Sequence, residues 1–176
     1  MATTYDLMAT TPYQCPVCLT QPGAHSFEKR RDINGVDVFY TCPSKAIKYN
    51  DIPGILAHYE GMLDANEDRP WWWVFDCTGF SLKHMVEVNV GIGLAKLISK
   101  KYSGSLKRVV IVNPTWYVRT MINVVWPFLT KQVRDGICIV NDDILLDGIP
   151  VSLWMNKPHI EAPHVPGEPN LVRTTF

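Results

Sequence analysis

Residues 71–80 read Trp71-Trp72-Trp73-Val74-Phe75-Asp76-Cys77-Thr78-Gly79-Phe80, and residues 108–114 read Arg108-Val109-Val110-Ile111-Val112-Asn113-Pro114. Each is an apolar run of strand length closed by turn chemistry, Asp-Cys-Thr-Gly in one case and Asn-Pro in the other. That is the pattern of a strand buried on both faces of a mostly parallel sheet. Between them, across 83–102, Met85, Val88, Ile92, Ala95, Ile98 and Tyr102 recur at helical spacing, while Lys96, Ser99, Lys100 and Lys101 fall elsewhere. A nearly all-apolar helix follows Pro114, and Gly136-Ile137-Cys138-Ile139-Val140 supplies a further strand. The order strand, helix, strand, helix, strand predicts an α/β fold with right-handed crossovers and side-chain chemistry gathered at the carboxyl ends of the strands.

Upstream, Asn34-Gly35 lies between two extended runs, 24–30 and 36–41, which predicts a hairpin at the start of the fold. Residues 52–63 carry apolar side chains at 52, 55, 56, 59, 62 and 63, after Asn50-Asp51 and with Pro53 in the first turn, which predicts a helix. Thr10-Thr11-Pro12, Cys15-Pro16 and Gln21-Pro22-Gly23 mark residues 1–23 as an irregular arm. Pro163, Pro166 and Pro169 mark 156–176 as a Pro-rich tail with little to bury, an extended strap or a disordered end. The expected organisation is therefore an arm (1–23), one α/β domain (24–155) and a tail, since 176 residues suffice for one sizeable core and not for two.

Seventeen basic and seventeen acidic residues cancel, so no bulk field draws the chain to nucleic acid or to an anionic membrane. Neither a signal peptide nor a spanning apolar run is present, and the odd count of five scattered cysteines fits reduced thiols. A cytoplasmic protein with at most a peripheral membrane contact is the expectation. Lys29-Arg30-Arg31, Lys100-Lys101 and Lys107-Arg108 form small cationic clusters that would steer the domain to an anionic surface only if they shared one side; solvated faces are the commoner case.

The helix across 115–129 contains Trp116, Tyr117, Val118, Met121, Ile122, Val124, Val125, Trp126, Phe128 and Leu129, broken mainly by Arg119, Thr120 and Asn123. Apolar residues cover more than one of its faces. Such a helix is either a core helix, covered here by segment 144–155, or has an outer face reserved for a ligand, a membrane or a partner.

The order of these segments resembles the CRAL-TRIO lipid-binding fold. The residues that carry the likeness are the hairpin Arg31-Asp32-Ile33-Asn34-Gly35-Val36, Val74-Phe75-Asp76-Cys77-Thr78-Gly79, Lys100-Lys101-Tyr102, Val109-Val110-Ile111-Val112-Asn113-Pro114, Trp126-Pro127-Phe128-Leu129 and Gly136-Ile137-Cys138-Ile139-Val140. The likeness spans about residues 24–155, and the chain is similar to the compact domains found beside Rho-GTPase-activating modules. It departs from the family in starting almost directly at the hairpin, without the preceding helical domain of many members. Trp126 stands where phosphatidylinositol-transfer members place a Lys before Pro-Phe-Leu, and Leu94 stands where they carry an acid. A phosphoinositol headgroup would thus lose its cation and its acceptor, so phosphatidylinositol specificity is not implied.

What the resemblance implies is a hydrophobic pocket between the sheet and a gate helix at 115–129, with Trp73, Phe75, Leu94, Met121 and Val125 as ligand-facing candidates together with Trp116, Trp126 and Phe128. The ligand would be a lipid or another hydrophobic small molecule, bound, and carried between membranes if the domain acts in transfer, without catalysis or cofactor. The competing reading is an interaction module that kept the fold and lost the pocket, binding a small GTPase or its regulator.

Two sharper features stand out. Asp76, Cys77, Thr78, Ser81 and His84 cluster after a central strand and could form a nucleophile set; the plainer reading has Asp76 and Thr78 capping the next helix and Cys77 as a buried thiol. Cys15-Pro16-Val17-Cys18 could clasp one side of a zinc ion, with His25 or Cys42 completing the site. With no second Cys-x-x-Cys, an inert loop pair without metal is the expectation, and His58, His159 and His164 show no ligand spacing.

Overall fold

A computed structural model describes residues 12–141, 145–146 and 148–155. Strands β1 (Glu28–Ile33), β2 (Val36–Thr41), β3 (Trp71–Asp76), β4 (Leu106–Val112) and β5 (Ile137–Val140) form one sheet in the order β1-β2-β3-β4-β5. The first two pair antiparallel through the Asn34-Gly35 turn, where both residues take positive φ; every later pairing is parallel. The mostly parallel α/β sheet with an N-terminal hairpin is therefore the architecture of this chain.

Parallel strands added one after another in one direction, each through a crossover of the same hand, put every crossover helix on one face of the sheet. Helices α2 (Ile52–Asp64), α4 (Val88–Leu97), α5 (Trp116–Val125) and α6 (Lys131–Asp135) do share one face: Ile55, Tyr59, Leu63, Leu94, Ile98, Val118 and Val133 join one core with Phe39, Trp71, Val109 and Ile111. The alternate strand residues Val38, Tyr40, Val74, Val110 and Val112 point to the opposite face and pack with Val151 of α7 (Val151–Met155). Segment 151–155 is thus a cover for the back of the sheet. The expectation that 144–155 covers the 115–129 helix fails for these residues, because that helix lies on the other face. The tail 156–176 lies outside the described residues.

Three further departures have local causes. The helix expected across 83–102 is broken at Val86-Glu87 into α3 (Leu82–Met85) and α4, and it ends in a π-helical turn at Ile98–Tyr102. A wider turn rotates the following side chains, and Ser99, expected on the solvent side, is buried with its hydroxyl accepting the Thr130 amide at 3.0 Å. Second, the 115–129 helix is α-helical only to Val125; Trp126–Phe128 is a 3-10 turn, since Pro127 has no amide to donate to the ladder. Third, Pro16–Thr20 within the expected irregular arm forms the short helix α1.

The cationic clusters are largely absorbed by neighbours. Lys29 pairs with the buried Asp37 at 2.8 Å, the Arg30 guanidinium lies over the Tyr40 ring at 4.2 Å, and Lys101 bridges Glu60 and Asp64.

Candidate functional site: an apolar cavity beneath α5

Between the sheet and helices α4 and α5 lies a cavity with about 690 Å³ of empty volume, its open mouth included. Trp73 and Phe75 of β3, Val109 and Ile111 of β4 and Ile137 of β5 make the floor; period-two alternation brings the side chains at 73 and 75, and at 109 and 111, to the same face. Gly91, Leu94 and Ala95 of α4 form one wall. Val118, Met121, Ile122 and Val125 of α5, four-residue and three-residue steps along one stripe, form the roof, with Phe80, Leu129 and Val133 closing the ends. No charged side chain lines the space.

Of the residues named from the sequence, Trp73, Phe75, Leu94, Met121 and Val125 meet around this cavity. Trp116, Trp126 and Phe128 do not line it: they are 61%, 39% and 38% exposed, on the outer side of the same segment. The 3-10 turn at Pro127 carries Trp126 and Phe128 away from the α5 stripe. Trp116 at the first turn stacks on Tyr117, ring centroids 3.9 Å apart. The rest of the lining, Val109, Ile111, Val133 and Ile137 as well as Phe80, Gly91, Ala95, Val118, Ile122 and Leu129, is not among the residues expected from the sequence. Val118 and Ile122 could have been found from the i, i+3, i+4, i+7 series that runs 118, 121, 122, 125. Gly91 carried no signal, since its role is to be small where two helices meet.

The nucleophile set does not assemble. Asp76 accepts the Tyr40 hydroxyl at 2.6 Å and the Thr78 amide at 2.9 Å, so its oxygens are engaged at the strand end. The Cys77 thiol is fully buried, and burial, reinforced by the neighbouring Asp76 charge, pushes its pKa up to about 12. His84 accepts the Ser81 amide through Nδ1 at 3.1 Å. The helix cap is thus built by Ser81 and His84 rather than by Asp76 and Thr78, while Cys77 is the buried thiol expected.

The arm brings a second group together. Cys15, Cys18, His25 and His58 converge, and Cys42, the alternative to His25 for completing the site, lies elsewhere with its sulfur 3.3 Å from Ser44 Oγ. His58, set aside for want of ligand spacing, enters this group from α2.

An α/β sheet whose crossover helices roof an apolar cavity is a ligand-cavity fold. The CRAL/TRIO domain model matches residues 11–154, and the chain belongs to the CRAL-TRIO family. Among solved structures, the chain is similar to that reported as "Crystal structure of Sfh5", at 15% identity and a TM-score of 0.58, covering 82% of this chain. The likeness covers 61% of the Sfh5 chain, so it speaks to the shared fold. No curated protein sequence matches the chain. Among the described residues no helix is long and apolar enough to cross a membrane.

Proposed function

We propose that this domain binds a lipid or another hydrophobic small molecule in the cavity beneath α5, without catalysis. CRAL-TRIO proteins are typically non-enzymatic proteins that bind or transfer lipophilic molecules. The observation that carries the reading here is a cavity whose every lining residue is apolar or glycine. Space lined only by such groups offers water no partners, and an acyl chain supplies the missing dispersion contacts. Each buried methylene contributes about 0.8 kcal/mol, so about ten of them would contribute about 8 kcal/mol, the scale of micromolar binding before association costs.

The exposed aromatics of the same segment suit transfer. Trp116, Trp126 and Phe128 would sit in the interfacial zone of a bilayer while α5 moves to admit the chain. The test is native mass spectrometry of the purified protein followed by lipid extraction. The expected result is a retained or exchangeable apolar ligand. A protein that arrives empty and takes up no fluorescent fatty acid would sink the reading and leave the interaction module, with a small GTPase or its regulator as partner, as the surviving one.

A further inference from the structure

We infer that Cys15, Cys18, His25 and His58 hold one structural zinc ion that fastens the N-terminal arm to the domain. The four come from three places: Cys15 and Cys18 from the start of α1, His25 from the loop before β1, and His58 from the middle of α2. Their two sulfurs and two imidazole nitrogens all lie within 4.8 Å of one another. Cys15 Sγ is 3.6 Å from His25 Nδ1, and Cys18 Sγ is 3.7 Å from the same nitrogen and 3.8 Å from His58 Nδ1. A tetrahedral zinc, with Zn–S about 2.3 Å and Zn–N about 2.0–2.1 Å, sets sulfur-to-nitrogen edges of about 3.6 Å. The three sulfur-to-nitrogen distances, 3.6, 3.7 and 3.8 Å, match those edges.

The hydrogen bonds behind the rings decide which way the lone pairs face. His58 Nε2 is 2.7 Å from the Phe27 carbonyl oxygen, which can only accept, so Nε2 carries the proton and Nδ1 offers its lone pair to the sulfurs. His25 Nε2 lies 3.1 Å from Asp51 Oδ2, which sets the same tautomer. A ligand histidine whose far N–H is held by a carboxylate or a backbone carbonyl is the usual outer shell of a zinc site, and both versions occur here. Room for it is built in: a Cβ on Gly54 would fall 1.9 Å from Asp51 Oδ2 and 2.9 Å from His25 Nε2.

Cys15, His25 and His58 are each 7% exposed, and four protein ligands leave no open position, which makes the site structural rather than catalytic. Two sulfurs and two nitrogens in a tetrahedron suit zinc or an iron–sulfur centre. Donors gathered this closely surround one ion and leave no space for a two-iron core. The local Cys-x-x-Cys is half a site; His25 follows it in the loop before β1, and His58 arrives only when α2 packs beside the arm.

The test uses the full chain, expressed without a polyhistidine tag in zinc-supplemented medium. Elemental analysis should find one zinc per chain and no iron. Zinc X-ray absorption of the wild-type protein should show a first shell of two sulfurs and two nitrogens, a readout that needs no variant to fold. Replacing the metal with cobalt(II) should give the d–d and sulfur charge-transfer bands of a tetrahedral S₂N₂ site. In the double variant Cys15→Ser/Cys18→Ser, zinc should fall from one per chain to background. Wild-type protein with no zinc and no tetrahedral cobalt spectrum would overturn the inference, as would iron in place of zinc, an oxygen-only shell, or undiminished zinc in the double variant. Because the apolar cavity uses none of these residues, loss of zinc and loss of lipid uptake are separable results.

Discussion

A Cβ placed on Gly91 would stand 3.1 Å from Met121 Sδ and 3.1 Å from Val125 Cγ1, so α4 and α5 meet across a glycine at the rim of the cavity. Met121 has free space on its other side and is a flexible chain, so Gly91→Ala should push it inward. The better helix propensity of Ala, about 1 kcal/mol, offsets the crowding, and the melting temperature should hardly change. Gly91→Val overfills the contact and should cost about 1–3 kcal/mol. Met121→Trp should fill the cavity outright. Fluorescent fatty-acid uptake should fall in the order wild type, Gly91→Ala, Met121→Trp, and unchanged uptake in Met121→Trp would place the ligand elsewhere.

Headgroup choice is a separate matter. Trp126 is an exposed indole with the Arg134 guanidinium 5.8 Å from its ring centroid, and no cation lines the cavity. In competition, phosphatidylinositol should show no advantage over phosphatidylcholine or a free fatty acid. A strong, salt-sensitive preference for phosphatidylinositol would show that another cation serves in place of the missing Lys.

Vesicle binding should depend on the outer aromatics and not on the roof. Trp116→Ser with Phe128→Ser removes exposed rings that do not line the cavity. Co-sedimentation with vesicles should weaken while fatty-acid uptake from solution persists. Parallel loss of both would show that the two sides of α5 are not independent.

Cys77 should be chemically silent. With its pKa pushed up to about 12 by burial, roughly one molecule in 10⁵ carries the thiolate at neutral pH. Iodoacetamide should leave Cys77 unmodified in the folded protein and label it after denaturation, as read by peptide mass spectrometry. Rapid labelling of the native protein would revive a nucleophile.

Tyr40 donates to Asp76 across β2 and β3 at 2.6 Å in a buried setting, so Tyr40→Phe should destabilise the fold by about 1–3 kcal/mol in chemical denaturation. The same contact has a pH signature. Burial first, and then the bond to Asp76, raises the Tyr40 phenol above its ordinary 10.0. A group with a raised folded-state pKa contributes stability that is fully present below the unfolded value and is lost as pH climbs past it. Wild type should therefore lose stability above about pH 10 more steeply than Tyr40→Phe does, and equal slopes would show that Tyr40 ionises freely in the folded state.

The sequence by itself determined the order of the elements and the two-faced nature of the sheet, because apolar runs closed by turn residues are local signals: the runs 71–75 and 109–112 fall within strands, Asn34-Gly35 is a hairpin turn and Asp51 opens α2. Part of the cavity lining was legible through the family resemblance, which named Trp73, Phe75, Leu94, Met121 and Val125, all of which line the cavity. What only the tertiary structure decided is where long-range partners fall. Whether Trp116, Trp126 and Phe128 face inward depends on a 3-10 turn at Pro127 and on the angle at which α5 crosses the sheet. Segment 151–155 covers the back of the sheet because all the crossover helices occupy the front. His58 meets Cys18 because α2, forty residues further on, packs against the arm. Periodicity reports which face of an element is apolar; it carries no term for which other element that face will meet, and contact across the fold is settled only when every crossover has been packed at once.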